Sequence, residues 1–188
     1  MEDEKILSLY NARDESAIHE TAKKYGGLCR HVAMNILHSE PDAEECVSEA
    51  YLALWNTIPP KRPEVLSAYA AKLTRNISLN RWREGRAQKR GGGETAAVYD
   101  ELSEWLSDTH EIDEGLNARE LGAVINDFLT RVKPVERRVF LRRYWYFDSV
   151  SQIADDMGFT VSKVKSMLSR IRKKLKIRLE KEGYFIEN

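Results

Sequence analysis

Apolar residues recur at helical spacing along nearly the whole chain. Ile18, Ala22, Tyr25, Cys29, Val32 and Ile36 step by four, three, four, three and four, one stripe of a long helix. A shorter helix, around Glu4 to Ala12, precedes it with Ile6, Leu9 and Tyr10 inward. Gly26-Gly27 inside the long stripe predicts either a kink or close packing. His38 to Asp42 is a break, where Pro41 fits the next helix start and Asp42 with Glu45 reads as a capping box. That helix turns Ala43, Val47, Ala50 and Leu54 inward. Its other side carries Glu45, Ser48, Glu49, Leu52 and Trp55. Two carboxylates beside a Leu and a Trp suit a partner-binding face, although packing on a neighbouring helix explains the two apolar residues equally well.

Pro59, Pro60 and Pro63 forbid a helix between Ile58 and Pro63. A helix then runs from about Glu64 to Gln88. Leu66, Ala70, Leu73 and Ile77 form its inward stripe, and Lys72, Asn76, Leu79 and Arg83 form another. Ala118 to Val132 is helical, with Leu121, Val124, Ile125, Phe128 and Leu129 inward. Pro134 opens the next helix, where Val135, Val139, Phe140 and Tyr144 face the core.

Between Val150 and Met167 the pattern is that of a helix-turn-helix. Ala154 is small where two helices cross, and Gly158, four residues on, suits a turn of positive φ. Ile153, Met157, Phe159, Val164 and Met167 fill the apolar positions, and Thr160 is placed to cap the second helix. That helix keeps Val164, Leu168, Ile171, Leu175 and Leu179 inward. Ser162, Lys165, Ser166, Ser169, Arg172, Lys173 and Lys176 lie outward, and Lys163 and Arg170 add to its basic character. Small hydroxyls near its start admit base edges, and the longer cations reach phosphates. An ordinary helical hairpin with a basic surface is the plainer alternative.

The 188 residues contain only 10 Gly and 5 Pro, which favours long helices over a turn-rich β-sandwich. The expected fold class is all-α: two small helical domains, 1–90 and 116–188, joined by a flexible acidic linker, 91–115, that begins with Gly91-Gly-Gly93. No apolar run approaches the ~18 residues of a membrane span, and the acidic amino terminus lacks a signal core. A cytoplasmic location is expected. The net charge is zero but strongly segregated. Residues 1–60 hold 5 basic and 11 acidic side chains, 61–90 hold 9 and 2, 91–130 hold 1 and 10, and 131–181 hold 15 and 5. Two basic blocks around an acidic one suggest two anionic contacts.

The first basic block combines Lys61, Arg62, Lys72, Arg75, Arg81, Arg83, Arg86, Lys89 and Arg90 with Asn76, Asn80 and Trp82. Amide and aromatic groups among cations suit unpaired bases; a solvated basic helix is the alternative. Nothing reads as catalytic. His19, His31, His38 and His110 have no metal-ligand spacing, Cys29 and Cys46 sit on inward stripes, and no phosphate loop, nucleophile elbow or paired-carboxylate motif occurs. No metal or cofactor is expected.

Three segments together resemble the extracytoplasmic-function sigma factors of bacterial RNA polymerase, over about residues 5–182. Asp42 to Trp55, acidic and ending in Leu54-Trp55, is similar to the family's polymerase-binding helix. Ala68 to Asn80 is similar to the helix that melts and reads the minus-ten promoter element. Pro134 to Tyr144 with the helix-turn-helix is similar to the domain that reads the minus-thirty-five element. The family more often has Trp at the place of Tyr69, Asp at that of Asn80, and a Gly-containing turn where Trp145-Tyr-Phe-Asp148 stands.

The resemblance implies that Asp42, Glu45, Glu49, Leu52 and Trp55 dock on core polymerase. It assigns Lys61, Arg62, Lys72, Arg75, Asn76, Asn80 and Arg83 to the minus-ten element. It assigns Thr160, Ser162, Lys163, Lys165, Ser166, Ser169, Arg170, Arg172 and Lys173 to the minus-thirty-five duplex. Core polymerase and promoter DNA are the implied partners, and an anti-sigma factor is compatible with the group. No bond chemistry is implied. The main rival is a polymerase-independent helix-turn-helix regulator whose first domain dimerises or senses.

Overall fold

The computed structural model describes residues 1–88, 95, 96, 98, 101 and 116–183. No strand occurs among the described residues. The chain divides into two compact units, Met1–Gly91 and Gly92–Asn188. Most of the segment expected to be a linker, 91–115, lies outside the described residues, as do Lys89 and Arg90 of the first basic block and the side chain of Arg86.

The first unit contains α1 (Asp3–Asn11), α2 (Ser16–Leu37), α3 (Glu40–Thr57) and α4 (Leu66–Gln88). Helices α2, α3 and α4 pack against one another, and α1 lies on α2. Ile6, Tyr10, Leu54, Ile58 and Leu66 are buried together in the core, Leu7 joins them, and Leu9 packs at the edge. α2 runs unbroken through Gly26-Gly27. A Cβ on Gly26 would lie 3.1 Å from the Tyr51 hydroxyl, so of the two readings of the glycine pair, close packing holds.

Two expectations change. Helix α3 starts at Glu40 with Ser39 as N-cap and no side-chain cap. Pro41 occupies its first turn, so Asp42 is already inside the helix, where its charge faces the helix dipole instead of capping it. The inward face of α4 holds Ala71, Thr74, Ser78 and Leu79 beside Leu66 and Ala70, while Leu73 and Ile77 are half-buried. Small side chains let α4 approach α2 and α3 closely, and Thr74 satisfies its hydroxyl by donating to the Ala70 carbonyl at 3.0 Å.

The second unit contains α5 (Leu116–Arg131), α6 (Pro134–Tyr144), α7 (Val150–Met157) and α8 (Val161–Lys181). α5, α6 and α7 each pack on α8. Val139, Ile153, Val164, Ile171 and Leu179 are buried at its centre. Val135 is exposed, contrary to the sequence expectation. The inward row of α6 is Glu136, Val139, Phe140, Arg143 and Tyr144, which turns Val135 to the other side.

The helix-turn-helix is built as its sequence predicts, with every end satisfied. Ser149 and Gln152 form a reciprocal capping box at the start of α7. Gly158 adopts φ 64°, and the Phe159 amide donates to the Ala154 carbonyl at 2.8 Å, a Schellman closure. Thr160 then caps α8 by accepting from the Lys163 amide at 3.2 Å.

Candidate nucleic-acid and partner interfaces

Helix α3 presents Asp42, Glu45, Glu49 and Leu52 on its exposed side. Leu52 is 58% exposed, a large apolar side chain left uncovered beside carboxylates. Trp55 is different. Its ring lies 6.2 Å from that of Tyr10, Arg13 stacks 5.3 Å from it, and Arg13 also donates to the Trp55 carbonyl at 2.6 Å. Much of Trp55 is therefore spent on packing α1 against α3, the plainer of the two readings its spacing allowed.

The carboxylates are organised from α4. Arg81 Nη1 donates to Glu45 Oε2 at 2.5 Å and Nη2 donates to Glu49 Oε1 at 2.7 Å. Asp42 stands 3.9 Å from the same guanidinium. The Arg81 hydrogen bond holds the Glu45 carboxyl below its ordinary range. Burial pushes up the Cys46 thiol at the same helix junction, and the Arg81 charge opposes that shift.

On α4 the exposed positions Lys72, Asn76 and Asn80 step by four, and Arg83 is exposed just beyond them. Lys61 and Arg62 are exposed in the connection from α3. Arg75 is half-buried, and burial, followed by repulsion from Arg83, lowers its guanidinium from the ordinary value. The Tyr69 hydroxyl donates to Thr57 Oγ1 at 3.2 Å, pinning the start of α4 to the end of α3. Cations, amides and a polar loop thus form a surface able to hold phosphates and unpaired bases without bond chemistry.

On α8 the sequence-assigned residues separate into two groups. Ser162, Lys163, Lys165, Ser166, Ser169, Arg170 and Lys173 are exposed, with capping Thr160 exposed ahead of them. Lys163 stands 3.7 Å over the Phe159 ring, which fixes its stem at the turn. Arg172 is instead turned inward. It donates to Glu101 Oε2 at 3.1 Å and to the Tyr144 hydroxyl at 3.1 Å.

Glu101 itself went unnoticed in the sequence, where it lies inside the expected linker. Its carboxylate also accepts from Arg143 Nη2 at 2.8 Å and from the Tyr144 hydroxyl at 2.8 Å. Burial alone would raise the Glu101 carboxyl, but the Arg143 hydrogen bond and charge bring it below its ordinary value. Thr95, Ala96 and Val98 are helical and buried in the same unit. Only long-range packing could have singled out these residues, since Glu101 is one of many acids in its stretch.

Among the described residues no group of three or more His, Cys, Asp or Glu is placed to hold a metal. No helix among them is long and apolar enough to cross a membrane. The sigma-70 region 2 family model matches residues 21–88, and the sigma-70 region 4 model matches residues 124–175. No curated protein matches the sequence. Among solved structures, the chain is similar to one in the structure of CnrH in complex with the cytosolic domain of CnrY. That match has 17% identity and a TM-score of 0.44, and covers 95% of this chain and 97% of that chain.

Proposed function

The chain belongs to the sigma-70 family of RNA polymerase sigma factors, and on that premise we propose that it is of the extracytoplasmic-function type and which of its surfaces does which part of the work. The two matched regions, ending at 88 and starting at 124, leave 35 residues between them, too few for a typical middle domain. The match to both regions favours a sigma factor over the polymerase-independent regulator.

In this reading Glu45, Glu49 and Leu52, with Asp42 beside them, dock on core polymerase, and Trp55 braces that helix from behind. Lys61, Arg62, Lys72, Asn76, Asn80 and Arg83 hold the melted minus-ten strand, with Arg75 supporting them from its half-buried place. Ser162, Lys163, Lys165, Ser166, Ser169, Arg170 and Lys173 face the minus-thirty-five duplex, positioned by the Thr160 cap. Arg172 serves an internal clasp with Glu101. The protein contributes binding energy for strand separation and acts in the cytoplasm, where polymerase is. An anti-sigma factor, if it silences this protein, covers the same exposed Leu52.

The observation that carries the reading is the exposed row of α8 behind a fully capped turn, in which the small hydroxyls Ser162, Ser166 and Ser169 interleave with Lys163, Lys165, Arg170 and Lys173, a mixture suited to base edges and phosphates of a duplex. The test is permanganate footprinting of the polymerase complex. Asn76→Ala with Asn80→Ala should impair opening while upstream protection persists, and Lys165→Ala should weaken upstream protection. Normal opening by the asparagine variant on both duplex and pre-melted promoters would overturn the α4 assignment. Tight sequence-specific duplex binding by the free chain at physiological salt would restore the independent regulator.

A further inference from the structure

The basic block of α4 is not one surface. Lys72, Asn76, Asn80 and Arg83 are exposed, whereas the Arg81 side chain is only 27% exposed and points at α3. Composition grouped Arg81 with the nucleic-acid contacts; its geometry separates it from them. Its planar fork spans two carboxylates on successive turns of α3, a bridge that needs two outward nitrogens on one rigid group.

We propose that Arg81 is a positioning residue of the polymerase-docking face, holding Glu45 and Glu49 as one paired anionic platform beside Leu52 to receive a cationic side chain of core polymerase. This rests on the docking role proposed above for α3. Asp42, Glu45 and Glu49 fall at i, i+3 and i+7, so they repel one another along a single stripe. One guanidinium offsets one of these three charges and leaves the stripe anionic. The carboxylates are still open to a second donor, Glu45 being 65% exposed and Glu49 47%. Each carboxylate has more acceptor sites than Arg81 uses, so the pairing orders them without consuming them. A partner meeting two side chains already held in place avoids the cost of immobilising them.

The test is competition of the full-length chain for core polymerase, with Arg81→Ala, Arg81→Lys, the double variant Glu45→Gln/Glu49→Gln, and the triple variant. Arg81→Ala should weaken binding by about five- to 150-fold, the range expected for freeing two rotamer-rich side chains. Arg81→Lys should recover part of that loss, since an ammonium keeps the charge but cannot bridge both carboxylates. In the Glu45→Gln/Glu49→Gln background, Arg81→Ala should add less than about twofold, because its only route to polymerase has been removed. The salt slope of promoter binding by the assembled holoenzyme should stay unchanged for Arg81→Ala. An undiminished loss in the double-variant background would make Arg81 merely structural. Tighter polymerase binding by Arg81→Ala would make it a competitor of the partner's cation. A salt slope smaller by about one unit would return it to phosphate contact. Each of these overturns the proposal. If Glu45→Gln/Glu49→Gln weakens binding and Arg81→Ala does not, the positioning role alone fails. If the double variant itself leaves affinity unchanged, the docking role of α3 falls as well.

Discussion

Phe147 has a left-handed backbone, φ 60°, yet is only 2% exposed. It stands in the Trp145-Tyr-Phe-Asp148 turn, where the family more often carries glycine. A non-glycine residue in this conformation costs about 1–2 kcal/mol. Burial of the ring offsets that cost, and its removal by Phe147→Ala should lose about 3–5 kcal/mol. Phe147→Gly loses the same contacts but relieves the backbone. At an ordinary position glycine is less stable than alanine by about 0.5–1 kcal/mol. At Phe147 the order should invert, with the glycine variant more stable than the alanine variant by about 1 kcal/mol, near fivefold in the opening equilibrium. The consequence reaches the helix-turn-helix. The next residue, Asp148, is 1% exposed, bonds Arg142 through its carboxylate, and accepts from Arg143 through its carbonyl at 3.3 Å. Ser149 then caps α7. Hydrogen exchange of the α7 and α8 amides reports the opening of this unit without interference from the other. Equal protection in the two variants, or better protection in Phe147→Ala, would refute the claim that the turn stores backbone strain.

Gly158→Ala meets no steric obstacle, since nothing lies within 4 Å of its Cβ position, so its cost should be conformational alone, about 1–2 kcal/mol by the same exchange measurement. Glu101 should make the second unit acid-sensitive. Its folded carboxyl lies below the ordinary 4.5, so the stabilisation is present above that value and is lost as pH falls through the folded value. Glu101→Gln should lower stability near neutrality and flatten that acid limb in a pH-dependent unfolding series; an unchanged acid limb would place the sensitivity elsewhere.

The helix-turn-helix was legible because its signals are local. Ala154, Gly158 and Thr160 lie within seven positions, and each matches one backbone requirement. The inward face of α4 was less legible, because Thr74 and Ser78 read as polar while Leu73 and Ile77 read as core. Three mutually packed helices reverse that preference, favouring small side chains at the closest approach over large apolar ones at the margin. The capping box at Asp42 had the right spacing, yet Pro41 moved the helix start upstream of it. Arg75, Arg81 and Arg83 are chemically identical in a sequence, but the structure gives one a half-buried place, one a carboxylate bridge and one an exposed position. Glu101 shows the limit most sharply, since its donors lie 42 to 71 positions away.

The same sorting changes what the large positive charge of residues 131–181 means for DNA binding. Arg142 pairs with Asp148 and Asp156, Arg143 and Arg172 with Glu101, Lys174 with Glu136, and Arg178 with Asp127 and Glu182. These cations have internal partners, so the block's net charge overstates its reach toward phosphates. The exposed cations of α8 nearest the turn are Lys163, Lys165, Arg170 and Lys173. If those carry the upstream contact, replacing all four by alanine should lower the salt slope of holoenzyme binding by about 3–4 units, at roughly 0.9 per phosphate. Arg172→Ala should leave the slope unchanged while lowering the exchange protection of α8. A fall of about one unit for Arg172→Ala would show that the clasp opens on DNA and that the charge count of the sequence was the better guide.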